Sequence, residues 1–239
     1  MLTRLIAWSM VMGTSIRLQN MLEELMVEMD GVRLEESLEK IELLLGVNMQ
    51  CDLKWSEQIV ALNSKLKTRL TGLGKLKSVM ERQIKKAIVQ GVFNSVLCYC
   101  LPLFGSCNQS EVHTLQVHQN RAAQIVLNSP PRTSRDWMFD KLGWMTVQQL
   151  IAYHTLIAIY RIRQSKEPEH LSDILTKDNR YGHIIMKNTV LGLYRNSFVF
   201  RGTLLWNRLP ETLRKLDNIG KFKKNIRNWV ESNVDRFAG

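Results

Sequence analysis

The stretch LLLGVNMQCDLKWSEQIVALNSKLKTRLTGLGKLKSVMERQIKK, Leu43–Lys86, changes its hydrophobic period partway along. Its start belongs to a continuous apolar run, Ile41 to Met49, broken by Gly46 and bounded by Asn48, Gln50 and Asp52. That length and those boundaries suit a buried strand or hairpin better than a helix. Beyond the polar break, Ser56 reads as a helix N-cap, with Trp55 placed to staple onto Val60. Ile59, Leu62, Leu66, Leu70 and Leu73 then recur at three and four residues and form one apolar face. Gly72 and Gly74 end or bend that helix. From about Lys75 a second helix is expected, with Leu76, Met80, Ile84, Ala87, Ile88 and Gly91 on one side. At about 100° per residue, Lys75, Arg82, Lys85 and Lys86 fall on the opposite side within roughly a third of a turn. Lys65, Lys67 and Arg69 scatter round the first helix and make no stripe.

Working outward, the first forty residues read as helical in pieces, Met21 to Met29 most clearly, ending near Asp30-Gly31. Downstream, Pro102 and Gly105 close an apolar helix, and Ser110 opens another with Val112, Leu115, Ala122 and Val126 inward. Pro130-Pro131 is the best candidate domain boundary. Ser134 begins a short helix that stops at Gly143. Thr146 and Gln149 form a T-x-x-Q capping box ahead of a long helix to about Gln164. After Pro168 comes a short helix at Leu171–Leu175, then an irregular stretch over 176–196. Ser197 to Phe200 reads as a short strand. A last amphipathic helix uses Ile219, Phe222, Ile226, Trp229 and Val230.

Composition sets the class. The 239 residues are 45% hydrophobic and 23% charged, with only 5 prolines and 13 glycines, which is a globular balance and not a disordered one. Net charge is +11, which favours acidic partners, nucleic acid first. The charge is uneven: residues 1–50 hold 8 acidic against 4 basic side chains, whereas the remainder is basic throughout. The densest apolar run, Val92 to Phe104, is too short to span a bilayer and contains Asn94, Ser95 and Pro102, so no membrane segment is expected. Arg4 and a short apolar run through Met12 lack a small-residue cleavage site, which disfavours a signal peptide. Cys51, Cys98, Cys100 and Cys107 have no framework spacing, and three lie in or beside a run expected to be buried. They indicate a reduced, intracellular protein, cytoplasmic or nuclear.

Motifs for chemistry are sparse. Cys98, Cys100, Cys107, His113 and His118 match no usual structural zinc spacing. No glycine-rich phosphate loop is present, and no local pairing supports a cysteine–histidine nucleophile. Trp55, Trp144, Trp206 and Trp229 sit at staple and amphipathic positions, which favours core packing over base stacking.

Read in order, several segments resemble one family. These are L-L-L-G-V at Leu43–Val47, L-K-W at Leu53–Trp55, the basic helix pair, C-Y-C-L-P-L-F-G at Cys98–Gly105 and Q-N-R-A-A at Gln119–Ala123. F-D-K-L-G-W-M-T-V at Phe139–Val147 and S-F-V-F-R-G-T-L-L-W-N-R-L-P at Ser197–Pro210 complete the set. Together, over roughly residues 31–239, they resemble the C-terminal part of the reverse transcriptase of LINE-type, jockey-like non-LTR retrotransposons. The resemblance implies a primer-grip-like strand region and thumb-like helical bundle over 31–130, and a helical C-terminal extension over 131–239. Residues 1–30 match poorly and read as a remnant. It places Gly46 and Val47 near a primer end, and turns Lys54, Lys65, Lys75, Arg82, Lys85 and Lys86 toward the backbone of an RNA/DNA template–primer.

One departure limits the activity. Such polymerases hold two divalent ions, such as Mg, on Asp residues that include an aromatic-x-Asp-Asp turn. No Asp-Asp pair occurs in this sequence; Asp30 and Asp52 stand alone, and Asp136 and Asp140 fall in a later helical region. No catalytic residue and no cofactor is therefore assigned to this chain. The expected fold is mainly α-helical, a bundle preceded by a short β element. The expected function is template–primer binding by a fragment of an RNA-directed DNA polymerase that is inactive alone. The alternatives are a decayed, non-functional element product and a helical adaptor that binds other proteins.

Overall fold

The computed structural model describes residues 28–29, 32–33, 41–50, 54–75, 78–186 and 192–233. The chain divides into two compact units, residues 1–58 and 59–239. The prolines at 130–131 therefore lie inside the second unit, where the helices flanking them pack together.

In the first unit, β1 (Glu28–Met29) pairs antiparallel with β2 (Val32–Arg33). The helix expected over Met21–Met29 thus ends in a strand, and its earlier residues lie outside those described. Next, β3 (Ile41–Leu44) pairs with β4 (Val47–Gln50), from Ile41 opposite Gln50 to Leu44 opposite Val47. Leu45 (φ 49°) and Gly46 (φ 82°) make the two-residue connection. Both φ values are positive, as the primed turns of tight hairpins require, and glycine meets that demand without steric cost. The hairpin expected from the Gly46 break is there, but it is only half-buried. Leu43 and Leu45 are exposed, and Val47 turns inward. Two side chains join the hairpin to the first turn of the following helix. The Asn48 N–H donates to Gln58 Oε1 at 2.8 Å, and the Glu57 N–H donates to Gln50 Oε1 at 3.2 Å.

Helix α1 (Ser56–Gly74) starts at the expected serine and stops at the expected glycine. Ile59, Leu62, Leu66, Leu70 and Leu73 are all buried, and Val60 is exposed. The second unit holds most of this helix and everything after it.

The next helix departs from expectation. It begins at Arg82, as α2 (Arg82–Val89), so Lys75 sits in the turn after α1 and on no helix with Arg82. Its buried residues are Lys85 and Val89, while Ile84 is half exposed. From Gln90 to Asn94 the backbone widens into a π-turn, followed by α3 (Ser95–Leu97). The buried series Lys85, Val89, Phe93, Leu97 steps by four residues. In a straight α-helix that series drifts by roughly 40° per step; the wider π-turn absorbs the drift and keeps one face inward. The helix ends at Leu97, and Cys100 (φ 52°) leads into α4 (Leu101–Phe104). Pro102 therefore lies at the start of a short helix and does not close a long one.

Helix α5 (Gln109–Leu127) opens with a capping box of Asn108 and Glu111, the cap lying two residues ahead of the expected Ser110. Helix α6 (Arg135–Leu142) runs from Ser134 to Gly143 as expected, Gly143 adopting φ 62°. Thr146 and Gln149 box the start of α7 (Val147–Ser165), with the Gln149 N–H donating to Thr146 Oγ1 at 3.2 Å. Then come α8 (Glu169–Leu175), α9 (Gly192–Arg195), α10 (Phe198–Arg208), α11 (Glu211–Arg214) and α12 (Ile219–Asn233). Ser197–Phe200, read as a strand, is the start of α10. Ser197 caps it by accepting the Phe200 N–H, and Gly202, Thr203 and Trp206 line its inner face at helical spacing. The period of that inner face outweighs the β propensity of Phe-Val-Phe.

Helix α7 is the axis of the second unit; α4, α5, α8, α10 and α12 all pack on it. Leu156, Ile159, Trp206, Phe222, Ile226 and Val230 form the core around it. Tyr160 stacks on Phe222 at 4.2 Å, and Arg163 lies 5.0 Å over the Trp206 ring. Two buried glutamines are paired, Gln116 Oε1 accepting the Val147 N–H and Gln119 Nε2 donating to the Met145 carbonyl, both at 2.9 Å, whereas Tyr160 OH and Trp206 Nε1 are buried without a hydrogen-bond partner among the described residues. The fold is mainly helical with a short β element, and no helix among the described residues is long and apolar enough to cross a membrane.

Candidate nucleic-acid interface

The basic side chains singled out in the sequence are divided between the two units and stand on different elements. Gly46, Val47 and Lys54 belong to the first unit. Gly46 lies exposed in its turn, Val47 is inward, and Lys54 is exposed. In the second unit Lys65 and Lys75 are exposed on and just after α1. Arg82 is exposed, but its guanidinium donates to the Lys141 carbonyl at 3.0 Å, which ties it to the end of α6. Lys86 is half-buried.

Lys85 is a correction. It is only 3% exposed, and its Nζ donates to Asn128 Oδ1 at 2.7 Å. Asn128 adopts φ 53° as the C-cap of α5, the left-handed position that asparagine tolerates at helix ends. The amino group thus reaches the negative end of a 19-residue helix, which favours a cationic side chain there. Helical phase turns Ile84 inward and Lys85 outward, but packing on α5 brings the Lys85 side inward instead. Lys85 is therefore held inside on Asn128 and does not stand on the exposed side where helical phase places it.

A different group is drawn together. Lys67 on α1 and Arg121 on α5 both act electrostatically on His118 of α5. Burial, then the charge of Arg121, then that of Lys67 hold the His118 imidazole below its ordinary pKa. Beside them Leu70, Thr71, Gly74, Arg121, Gln124 and Ile125 line a groove between the two helices. Lys67 and Arg121 are exposed. Arg121 lies in the Q-N-R-A-A segment, but its nearness to Lys67, 54 positions earlier, follows from the approach of α1 to α5 across the groove and from no local pattern.

The remaining reactive groups are quiet. Burial pushes the Cys98 thiol up to about 11, and burial with the nearby Glu111 pushes Cys107 up to about 11, so neither forms thiolate readily near neutrality. Among the described residues no three His, Cys, Asp or Glu side chains converge to hold a metal ion. Trp206 is buried in the core.

No known protein-family model, curated protein or solved structure matches the chain.

Proposed function

We propose that this chain is a nucleic-acid-binding module, the template–primer-holding part of a retrotransposon-type RNA-directed DNA polymerase, without catalytic carboxylates of its own. The observation that carries the reading is the groove between α1 and α5, with Arg121 in its wall and Lys67 near enough that both charges act on His118. The ordered motifs from Leu43 to Pro210 and the net charge of +11 support it. Exposed Lys65 and Lys75, on and just after α1, add positive charge to that helix. Contacts of this kind neutralise phosphates and release counterions, so binding is independent of base sequence and weakens with salt.

The test is fluorescence anisotropy on a labelled RNA/DNA hybrid across a salt series, with the parent chain and a Lys67→Ala/Arg121→Ala double variant. Each phosphate contact contributes roughly 0.9 to the slope of log affinity against log salt, so the double variant is expected to flatten that slope by about two. Identical slopes and affinities for the two proteins defeat the reading of this groove. Salt-independent binding, or none, favours the adaptor alternative.

A further inference from the structure

A cavity of about 200 Å³ opens where α10 crosses the ends of α4, α5 and α7. Its polar wall is Arg201 and Arg208 from α10, Gln109 from α5, Gln148 from α7 and Cys107; its apolar wall includes Ile151, Leu204 and Leu205. Arg201 and Arg208 stand seven residues apart, about two helical turns, which puts both on one side of α10. The Arg201 guanidinium is largely buried, and burial lowers its pKa from the ordinary arginine value, the Cys107 thiol offsetting part of that. Among the described residues no carboxylate pairs with it. A desolvated cation without a counter-charge is costly, and an incoming anion recovers that cost. Glu111 remains the one acidic group whose charge is felt at Cys107; its carboxylate accepts the Asn108 N–H at 2.8 Å and makes no ion pair with Arg201 among the described residues.

Two further features bias the cavity the same way. Gln109 and Gln148 lie in the first turns of α5 and α7, both 19-residue helices; the α5 end carries Glu111 in its first turn, whereas the α7 end has no acidic residue there and presents its positive pole. Their side chains touch across the gap, Gln109 Nε2 to Gln148 Oε1 at 3.4 Å, and either amide can rotate to donate to a ligand. The apolar half of the wall suits a carbon body attached to the anion.

We propose that this cavity is a binding site for a small organic phosphate monoester, its dianionic group held by Arg201 and Arg208 and its carbon body lying against Leu204, Leu205 and Ile151. Two guanidiniums in one cavity match a dianion better than a monoanion, and their planar forks suit phosphate oxygens. The site is separate from the Lys67/Arg121 groove, and neither proposal depends on the other.

The experiment titrates the intact chain with phenyl phosphate, inorganic phosphate and, at matched ionic strength, chloride, reading 31P line width and the thermal midpoint. Saturable binding of phenyl phosphate is expected, at least about tenfold weaker in Arg208→Gln and in Arg201→Gln, and unchanged in Arg132→Gln. Arg208 is exposed, so Arg208→Gln decides the matter if Arg201→Gln fails to fold. Inorganic phosphate binding as tightly as the ester identifies the free ion as the ligand and overturns the role of the apolar wall. Chloride acting as well as phosphate, or full binding by Arg208→Gln, overturns the site.

Discussion

Helices α1 and α2 are both basic and neighbours in sequence, yet they resolve the same problem in opposite ways. In α1 five large aliphatic residues recur at helical spacing, fix the buried face, and leave Lys65 and Lys67 outside. In α2 the apolar residues Ile84, Ala87 and Ile88 also share a side, but over only eight residues, and the phase is set by the partner. Packing on α5 and the π-turn ahead bring Lys85 in and leave Ile84 half exposed. A stripe that runs the length of a 19-residue helix dictates its own orientation; a helix of 8 residues takes the orientation its neighbour offers.

That contrast is open to attack by mutation. The largest effect is expected at the centre of the α1 stripe, where Leu66 is fully buried. Leu66→Ala is expected to cost about 3 kcal/mol in denaturant unfolding, the range for a leucine cavity that relaxes incompletely. Next comes Lys85→Ala, which removes a buried stem and its hydrogen bond to Asn128 and is expected to cost about 2 kcal/mol. Lys85→Met keeps the stem and desolvates no charge, so its stability should equal or exceed the parent's. A surface-like response to Lys85→Ala, under about 0.5 kcal/mol, breaks the comparison.

A smaller effect is tied to pH. Burial first, then the charges of Arg161 and Lys223, hold His154 below its ordinary 6.5, so the unfolded chain takes up the proton more readily than the folded one. Stability is therefore highest above pH 6.5 and falls as pH drops from there toward the lowered folded value. Thermal midpoints followed down to about pH 5 should decline less steeply in His154→Gln. The smallest effect is at Ile84, placed on the inner side by sequence but 50% exposed. Ile84→Ser is expected to stay within about 0.5 kcal/mol of the parent, and a core-sized loss restores the phase read from the sequence.

How much was legible follows the same division. The α1 stripe, the Ser134–Gly143 helix and the Thr146/Gln149 box could be read because each rests on contacts within four residues. The start of α10 was misread although Ser197 announced a cap, since Phe-Val-Phe carries a strand-like preference and Gly202 hides the inner face. The functional candidates were the least legible. Lys67 and Arg121 come near each other only through the approach of α1 to α5, and Arg201 meets Gln109 and Gln148 only because α10, α5 and α7 converge. No period within one helix encodes such meetings.

The two glycines that seat helices on α7 have unequal evolutionary prospects. A methyl group at Gly202 would meet Ile159 Cδ1 at 2.5 Å, the far end of a side chain that can be shortened. One at Gly105 would meet Ile151 Cγ2 at 2.5 Å and the Leu101 carbonyl at 3.1 Å, a β-branch and a backbone atom that have little room to yield. Position 202 can therefore drift once Ile159 becomes valine, and the order of those two changes decides whether the lineage passes through an unstable intermediate. Position 105 has no such route. Among descendants of this chain, alanine at 202 should travel with valine at 159, and glycine at 105 should stay.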